Sequence, residues 1–321
     1  MKRVSVIIPC HNAVQWLPKC FLSLVNQSMG MNDIELIFVD DASEDAGRTW
    51  EMLQDFERAY PESIMAIQLA ENMRQGGARN VALTYATGEY IAFVDADDFV
   101  KKAYEIARST DADMVQFEYE LYTERLGNVP SGRKIERESI CLENIAQRKR
   151  FLVEEKITYG CWNKLYRREL IARAGVKYAE HVIYEEPLFV YPLLFFGKRF
   201  EIVPDVFYYY RQNLTGTMRS DMKQLETLKM HAQVQLDVWN FMKTTEFWQD
   251  YYEEIKLYFL HTYLYETLLF AAQREFSLPE SFIRELTDTV KSEVSDYTSS
   301  QYAELTPKQM ELYHQVKLGN D

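Results

Sequence analysis

Three carboxylates stand together in the run Asp95-Ala96-Asp97-Asp98, directly after an apolar segment. That segment, residues 90–94, is typical of a buried strand, so the acidic run begins where the strand ends. In an open α/β sheet the carboxyl ends of the strands face the ligand crevice. Three negative charges there need neutralisation, and a divalent cation that binds a phosphorylated substrate provides it, since hard cations take oxygen ligands. The alternative is an acidic turn or a helix N-cap without a ligand.

Two earlier predicted strands also end in polar segments, which are Pro9-Cys10-His11-Asn12 after the first strand and Asp40-Asp41 after the second. All three segments would lie at one edge of a parallel sheet, where a carboxylate can accept hydrogen bonds from a base imide or from ribose hydroxyls. The alternatives are that Asp40 and Asp41 cap the following helix and that His11 is a structural histidine.

The elements that position these segments alternate between strand and helix. Apolar runs predict strands at 4–9, 34–39, 64–69 and 90–94. Helical spacing predicts helices at about 14–27, 47–60 and 78–86, the last after a turn at Gly76-Gly77. Short connections between alternating strands and helices indicate a doubly wound parallel sheet. Further along, we expect a helix over 162–174 and a strand over 203–210.

Composition limits the class of protein. The 321 residues are 47% hydrophobic, which is enough for a sizeable core. The 36 Lys and Arg residues against 49 Asp and Glu residues give a net charge of −13. This balance argues against nucleic acid as a main partner and against broad adhesion to anionic lipid, because both need a basic surface.

The sequence also predicts where the protein works. Its four cysteines form neither a CxxC pair nor a zinc-binding pattern, so we expect free thiols in a reducing compartment. No stretch reaches the ~18 apolar residues of a spanning helix, and the chain enters its first strand without a signal peptide. We therefore expect a cytoplasmic protein that is at most peripheral to the inner face of the plasma membrane.

The last hundred residues predict a separate helical region. We place the domain boundary between 1–220 and 221–321. Aromatic residues recur through 255–269, and this stripe is interpreted as a packing face against the first domain. The alternatives are a homodimer surface or a peripheral membrane contact, where tyrosine and tryptophan are favoured.

Taken in chain order, several segments resemble glycosyltransferase family 2, whose members have the GT-A fold. The segments that carry the resemblance are VSVIIPCHNA at 4–13, IELIFVDDASED at 34–45, GGARNVALTYATGEYIAFVDADD at 76–98, CWNKLYRREL at 161–170, YEEPLF at 184–189 and FYYYR at 207–211. The resemblance covers about the first 220 residues. It implies an α/β fold with a Rossmann-like, mostly parallel sheet flanked by helices, followed here by a helical C-terminal extension.

The resemblance implies a site for a nucleotide-sugar donor. The residues that would hold the nucleotide are Pro9, His11, Asn12, Asp40, Asp41, Gly77 and Arg79. Asp95, Ala96 and Asp97 would form the metal-binding DxD motif, with Asp97 as the direct ligand of Mn²⁺ or Mg²⁺ and Asp95 in support. Asp98 would contact the sugar, Trp162 would stack on a sugar face, and Lys164 and Arg211 would lie near the phosphates. The alternative for Trp162 and Lys164 is a core tryptophan and a surface lysine.

The pair Glu185-Glu186 corresponds to the family's catalytic carboxylates. In inverting members, an aspartate at the second position takes the proton from the acceptor hydroxyl. Glu186 holds that position here and departs from aspartate by one methylene, so Glu185 is the alternative base. Both glutamates would also suit the start of a helix.

The sequence thus predicts a metal-dependent, inverting hexosyl- or N-acetylhexosaminyltransferase. It would move a sugar from a nucleotide-diphospho-sugar, a UDP-sugar, to a glycan or lipid-linked saccharide in bacterial surface polysaccharide synthesis. One alternative is a catalytically impaired subunit of the same fold that binds nucleotide or glycan. A nucleotidyltransferase ranks lower, because the Pro9–Asn12 turn lacks the Gly-rich basic loop that a triphosphate needs.

Overall fold

The computed structural model describes residues 2–100, 104–132, 135–212, 225–304 and 306–318. The chain divides into two compact units. The first comprises Met1–Glu143 and Ile157–Leu214, and the second comprises Asn144–Lys156 and Thr215–Asp321. The sequence predicts a single boundary near residue 220, whereas the structure also groups residues 144–156 with the C-terminal helices.

The first unit is built on one sheet, and the described residues contribute ten strands to it. These are β1 (Val4–Cys10), β2 (Ile34–Asp40), β3 (Ile64–Gln68), β4 (Tyr90–Phe93), β5 (Phe99–Val100), β6 (Met114–Thr123), β7 (Gly127–Pro130), β8 (Glu138–Cys141), β9 (Lys164–Arg167) and β10 (Arg199–Arg211). The main order is β3-β2-β1-β4-β9-β6-β10-β5, with β7 on β6 and β8 on β10.

One half of the sheet is parallel and the other half is mixed. β1 pairs in parallel with β2 and β4, and β2 pairs in parallel with β3. β9 runs antiparallel between β4 and β6, while β10 lies parallel to β6. The parallel half confirms the doubly wound arrangement that strand–helix alternation predicts.

The helices of the described residues are, in chain order, α1 (Leu17–Val25), α2 (Arg48–Ala59), α3 (Arg74–Leu83), α4 (Tyr104–Thr110), α5 (Ile145–Val153), α6 (Arg168–Ala174), α7 (Glu186–Phe196), α8 (Leu225–Lys243), α9 (Tyr252–Phe259), α10 (Thr267–Gln273), α11 (Glu280–Glu293) and α12 (Pro307–Leu318). A π-helical segment, Leu260–Glu266, connects α9 to α10. α5 and α8–α12 belong to the second unit.

Strand β1 lies in the core of the first unit and is buried on both of its faces. Val6 and Ile8 share an apolar cluster with Leu17 and Leu24 of α1, whose spacing puts them on one side of that helix. Ile7 points to the opposite face and is also fully buried. A strand that is covered on both faces reads as a continuous apolar run, which explains the sequence of β1.

Two predicted elements differ in the structure. Gly76 and Gly77 lie inside α3, which begins at Arg74, and so do not form a turn before it. The segment predicted as one helix over 162–174 is instead the strand β9 followed by α6. Strand pairing of β9 with both β4 and β6 overrides the local helical pattern.

Part of the aromatic stripe is buried within the second unit. The Phe259 ring lies 4.7 Å from the Trp239 ring and 4.8 Å from the Tyr263 ring, and all three side chains are buried. These contacts are made within the second unit, and packing of the stripe against the first domain, dimer contact and membrane contact all stay predictions. No helix within the described ranges combines the length and apolar character that crossing a membrane requires.

Candidate functional site

The three polar strand ends emerge at the same edge of the sheet. In the strand register Cys10 lies opposite Asp40, and Ile7 lies opposite Phe93. The backbone N–H of Val94 still donates to the Ile7 carbonyl, at 3.0 Å, so that β4 ends beside β1. The acidic run therefore begins next to the segments that follow β1 and β2, as the sequence predicts.

Hydrogen bonds join the loop after β1 to the loop after β2. His11 Nδ1 lies 2.9 Å from the Asp41 carbonyl oxygen, and His11 Nε2 lies 3.1 Å from Asn12 Nδ2. The Asn12 backbone N–H donates to Ser43 Oγ at 2.9 Å, and Asn12 Oδ1 accepts from the Glu44 N–H at 2.8 Å. Asn12 has φ 51°, a left-handed conformation that asparagine tolerates well.

Asp40 and Asp41 are both buried and have different partners. Asp40 accepts from the Ser43 N–H at 3.2 Å and from Gln68 Nε2 at 3.0 Å, so it braces the loop. Asp41 Oδ1 accepts from the Met73 N–H at 2.7 Å, just before α3 begins. Burial raises the pKa of Asp41, and the hydrogen bond from Met73 opposes that rise. Asp41 thus connects the second strand end to the start of α3.

Arg79 of α3 forms the centre of an ion-pair bridge. Its side chain is 1% exposed. Nη2 lies 2.8 Å from Asp95 Oδ1, Nη1 pairs with Glu185, and the guanidinium lies 5.3 Å from the Tyr178 ring centroid. The first carboxylate belongs to the acidic run, and the second directly precedes α7. One buried cation therefore connects the two groups of carboxylates that the sequence singles out.

The glycines of α3 permit this bridge. A Cβ added to Gly76 would lie 2.1 Å from the Ala179 carbonyl oxygen, and one added to Gly77 would lie 2.4 Å from Met73 Cβ. Real Cβ atoms do not approach other heavy atoms this closely, so only glycine allows α3 to pack here. The role of Gly77 visible in the fold is this close packing, which holds Arg79 in place.

Residues of β10 hold the acidic run in its turn. The buried Asp98 carboxylate accepts from the Tyr208 hydroxyl at 2.5 Å and from the Arg211 N–H at 2.6 Å. Arg211 Nε donates to the Asp97 carbonyl at 2.6 Å, and the Asp95 N–H donates to the Tyr208 oxygen at 3.2 Å. Burial raises the pKa of Asp98 well above its ordinary range, and the nearby charges of Asp97 and Asp95 act in the same direction.

The remaining carboxylates of the run fit a metal that is shared with a ligand. Asp95 and Asp97 are both partly exposed, while Asp98 is withdrawn into the fold. Among the described residues, no three His, Cys, Asp or Glu side chains are grouped so that they could hold a metal ion. A cation bound to phosphate oxygens needs only one or two protein carboxylates, so Asp97 with Asp95 is a suitable donor set.

The two glutamates before and at the start of α7 have different surroundings. Glu185 is buried against Arg79, and burial raises its pKa to about 7 although Arg79 acts in the opposite direction. Glu186 is partly exposed, and its Oε1 accepts from the Cys161 N–H at 2.7 Å. This environment leaves Glu186 better placed than Glu185 to meet a substrate.

Trp162 belongs to a group of aromatic rings on the sheet. Its ring centroid lies 4.6 Å from Tyr208, 4.8 Å from Tyr119 and 5.4 Å from Tyr210. The side chain is partly exposed, so it combines a packing role with an open surface. A sugar can stack on such a surface, and that role stays a prediction.

Lys164 and Arg211 use their charges within the fold. Lys164 is fully buried, and Nζ donates to Thr158 Oγ1, the Gly160 carbonyl and Asn163 Oδ1 at 3.0, 2.5 and 2.7 Å. The structure therefore does not present Lys164 at an open surface. The side chain of Arg211 is only 3% exposed and pairs with Glu124.

Sequence reasoning missed the partners that position the site. Arg79 and Glu185 are 106 residues apart, and Tyr208 lies 110 residues from Asp98. Local patterns carry no signal for such pairs, because only the order of the strands and the packing of α3 bring them together. The sequence predicts a strand over 203–210 and a family segment at 207–211, but neither indicates that Tyr208 binds Asp98.

The family model described as "Glycosyl transferase family 2" matches residues 5–175 of the chain. The chain is 29% identical over 217 residues to the uncharacterized glycosyltransferase EpsJ of Bacillus subtilis, which covers 65% of this chain and 61% of that protein. It is 28% identical over 218 residues to the poly(ribitol-phosphate) beta-glucosyltransferase of Bacillus spizizenii, which covers 65% of this chain and 32% of that protein. The chain thus spans about a third to three fifths of these relatives.

Solved structures agree on the fold. A TarS fragment from Staphylococcus aureus in complex with UDP-GlcNAc has a TM-score of 0.70 at 19% identity, over 98% of this chain and 90% of that one. The mannosyltransferase PcManGT from Pyrobaculum calidifontis, in complex with GDP-Man and Mn²⁺, has a TM-score of 0.53 at 17% identity, over 98% and 86%. With the family match over 5–175, the chain belongs to glycosyl transferase family 2 and has the GT-A fold.

Proposed function

We propose that this chain is an inverting glycosyltransferase that moves a sugar from a UDP-sugar to the hydroxyl of a glycan or lipid-linked saccharide. The observation that carries the proposal is the Arg79 bridge. It fixes Asp95 of the acidic run and Glu185 beside Glu186 in one arrangement. Donor and acceptor chemistry would therefore meet at one place. The TarS complexes with UDP and UDP-GlcNAc support a UDP-sugar as the donor.

The donor would lie along the edge formed by the three strand ends. The loops that carry His11 and Asp41 would surround the nucleoside, since their backbone and side-chain groups are fixed by mutual hydrogen bonds. Asp97, with Asp95 in support, would hold Mn²⁺ or Mg²⁺, and the bound metal would offset charge on the departing diphosphate. The Mn²⁺ complex of the mannosyltransferase PcManGT supports a divalent cation.

Glu186 would act as the general base. Its carboxylate would take the proton from the acceptor hydroxyl while that oxygen forms a bond to the anomeric carbon. The bond from this carbon to the diphosphate oxygen breaks, and the electron pair leaves with UDP. The Cys161 N–H would hold the Glu186 carboxylate in its orientation. Attack from the face opposite the leaving group inverts the anomeric configuration.

The cellular role is proposed from the relatives alone. The names of the relative from Bacillus spizizenii and of TarP from Staphylococcus aureus both give poly(ribitol-phosphate) as the acceptor. We propose that this chain contributes to bacterial surface polysaccharide synthesis.

The test is UDP release and sugar transfer with Mn²⁺, measured over a panel of nucleotide sugars. We expect Asp97→Ala to abolish metal-dependent UDP release, while Asp55→Ala, which removes an exposed carboxylate paired with Arg58, leaves it unchanged. Release that survives in Asp97→Ala would refute the metal assignment. The anomeric configuration of the product, determined by NMR, tests inversion.

A second variant tests the base and separates the enzyme from a binding subunit. We expect Glu186→Gln to lower kcat by about 10²-fold or more while UDP affinity stays within twofold. Unchanged turnover would move the role away from Glu186. A wild-type protein that binds UDP but transfers no sugar would instead support the alternative, a binding subunit without catalysis. The glutamate at position 186, where the family has aspartate, is the sequence feature that suggests this alternative.

A further inference from the structure

Tyr210 lies on the same face of β10 as the residues that hold the acidic run. Side chains alternate along a strand, so Tyr208 and Tyr210 share one face and Tyr209 points to the other. The contacts agree, because the Tyr208 and Tyr210 rings lie 4.6 and 5.4 Å from Trp162. Tyr209 stacks instead on Phe99, at 4.8 Å.

The neighbours of Tyr210 place it beside both halves of the proposed reaction. Two nearby residues of the same strand bind Asp98. These are Tyr208, which shares the face of Tyr210, and Arg211, which follows Tyr210 in sequence. On the other side, Tyr210 stacks on Trp162, which directly follows the residue whose N–H binds Glu186. Tyr210 therefore lies near both the acidic run and the proposed base.

The phenol group of Tyr210 is suited to donate a hydrogen bond to a ligand. The side chain is partly exposed, and within the part of the chain that the structure describes its hydroxyl has no hydrogen-bond partner. Burial raises the pKa of Tyr210, and the charges of Asp95 and Glu186 act in the same direction. The hydroxyl thus keeps its proton, and a partly exposed tyrosine presents an apolar ring and a polar tip to a ligand.

We propose that Tyr210 contacts the transferred sugar of the donor, with its ring and Trp162 forming an aromatic wall and its hydroxyl donating to a sugar hydroxyl. This inference rests on the proposed function. It assigns Tyr210 to the sugar and not to the nucleotide, because the nucleotide would lie along the loops after β1 and β2, whereas Tyr210 lies near both the acidic run and the proposed base.

The experiment compares the affinities for UDP, UDP-glucose and UDP-N-acetylglucosamine with Mn²⁺ by calorimetry. The relevant ligand is the sugar nucleotide that the wild type hydrolyses. We expect Tyr210→Phe to lower the affinity for this ligand by about two- to tenfold, which corresponds to the loss of one neutral hydrogen bond. Its UDP affinity should stay within twofold. Tyr210→Ala should weaken sugar-nucleotide binding further, since it also removes the ring. Tyr209→Phe removes a phenol from the opposite face and should change neither affinity.

Several results would overturn the inference. Equal losses for UDP and the sugar nucleotide would place Tyr210 at the nucleotide or in the fold, and unchanged affinities would remove it from the site. A wild type that binds both sugar nucleotides no differently from UDP would leave no sugar contact for Tyr210. A wild type that does not bind UDP would refute the proposed function first. If Tyr210→Ala does not fold, Tyr210→Phe alone decides, because it keeps the stacked ring.

Discussion

Replacing Glu185 by glutamine tests whether burial or ion pairing dominates at the Arg79 bridge. Glu185 is 3% exposed and faces Arg79, whose side chain is 1% exposed. Burial raises the pKa of Glu185 from 4.5 to about 7, which means that desolvation outweighs the attraction of Arg79. Glutamine keeps the shape and an acceptor for Arg79 but removes the titration.

The expected magnitude follows from the two pKa values. A carboxyl whose pKa is higher in the folded than in the unfolded chain adds stability below pH 4.5 and loses it as pH rises through about 7. One pKa unit corresponds to about 1.36 kcal/mol, so the wild type should lose about 3 kcal/mol relative to Glu185→Gln between these pH values. The glutamine variant should therefore gain relative stability with increasing pH.

The assay is urea unfolding of both proteins at several pH values from 4.5 to 8. Glu62→Gln makes the same chemical change at an exposed position and should show a flat difference from the wild type. A flat difference for Glu185→Gln as well would mean that the pKa of Glu185 is not raised. A variant that becomes relatively less stable as pH rises would mean that the Arg79 ion pair outweighs burial, which would refute the reasoning.

Three further predictions concern the free energy of unfolding, measured in urea against the wild type, and two of them add a transfer or UDP-binding measurement. Tyr208→Phe should lower the free energy of unfolding by about 1–3 kcal/mol, because the buried Asp98 carboxylate loses a donor; an unchanged value would mean that water replaces the hydroxyl. Gly76→Ala should lower it by about 1–3 kcal/mol or more, since the new Cβ meets the Ala179 carbonyl, and should reduce transfer as Arg79 shifts. Lys164→Met should lower it by about 1–3 kcal/mol and leave UDP affinity within twofold, whereas a large loss of affinity in the folded variant would return Lys164 to the phosphates.

Local patterns predicted the parallel half of the sheet well because each strand there is mostly apolar. The same patterns predicted the strand-end placement of Asp41 and of the acidic run, since parallel strands end at one edge. They predicted one helix over 162–174, of which 168–174 is helical and 164–167 is the strand β9. β9 is a strand because two partner strands satisfy its backbone, and no local pattern records those partners.

The sequence by itself determined which chemical groups are present, namely carboxylates at strand ends and a glutamate pair. It also carried the family resemblance that the match over 5–175 confirms. Tertiary structure decided which of those groups are open to a ligand. Asp98 and Lys164 are charged residues that burial and internal hydrogen bonds turn inward, whereas Asp97 and Glu186 stay partly exposed. The physical reason is that exposure and pKa depend on the neighbours that folding brings from a hundred residues away, such as Arg79 beside Glu185.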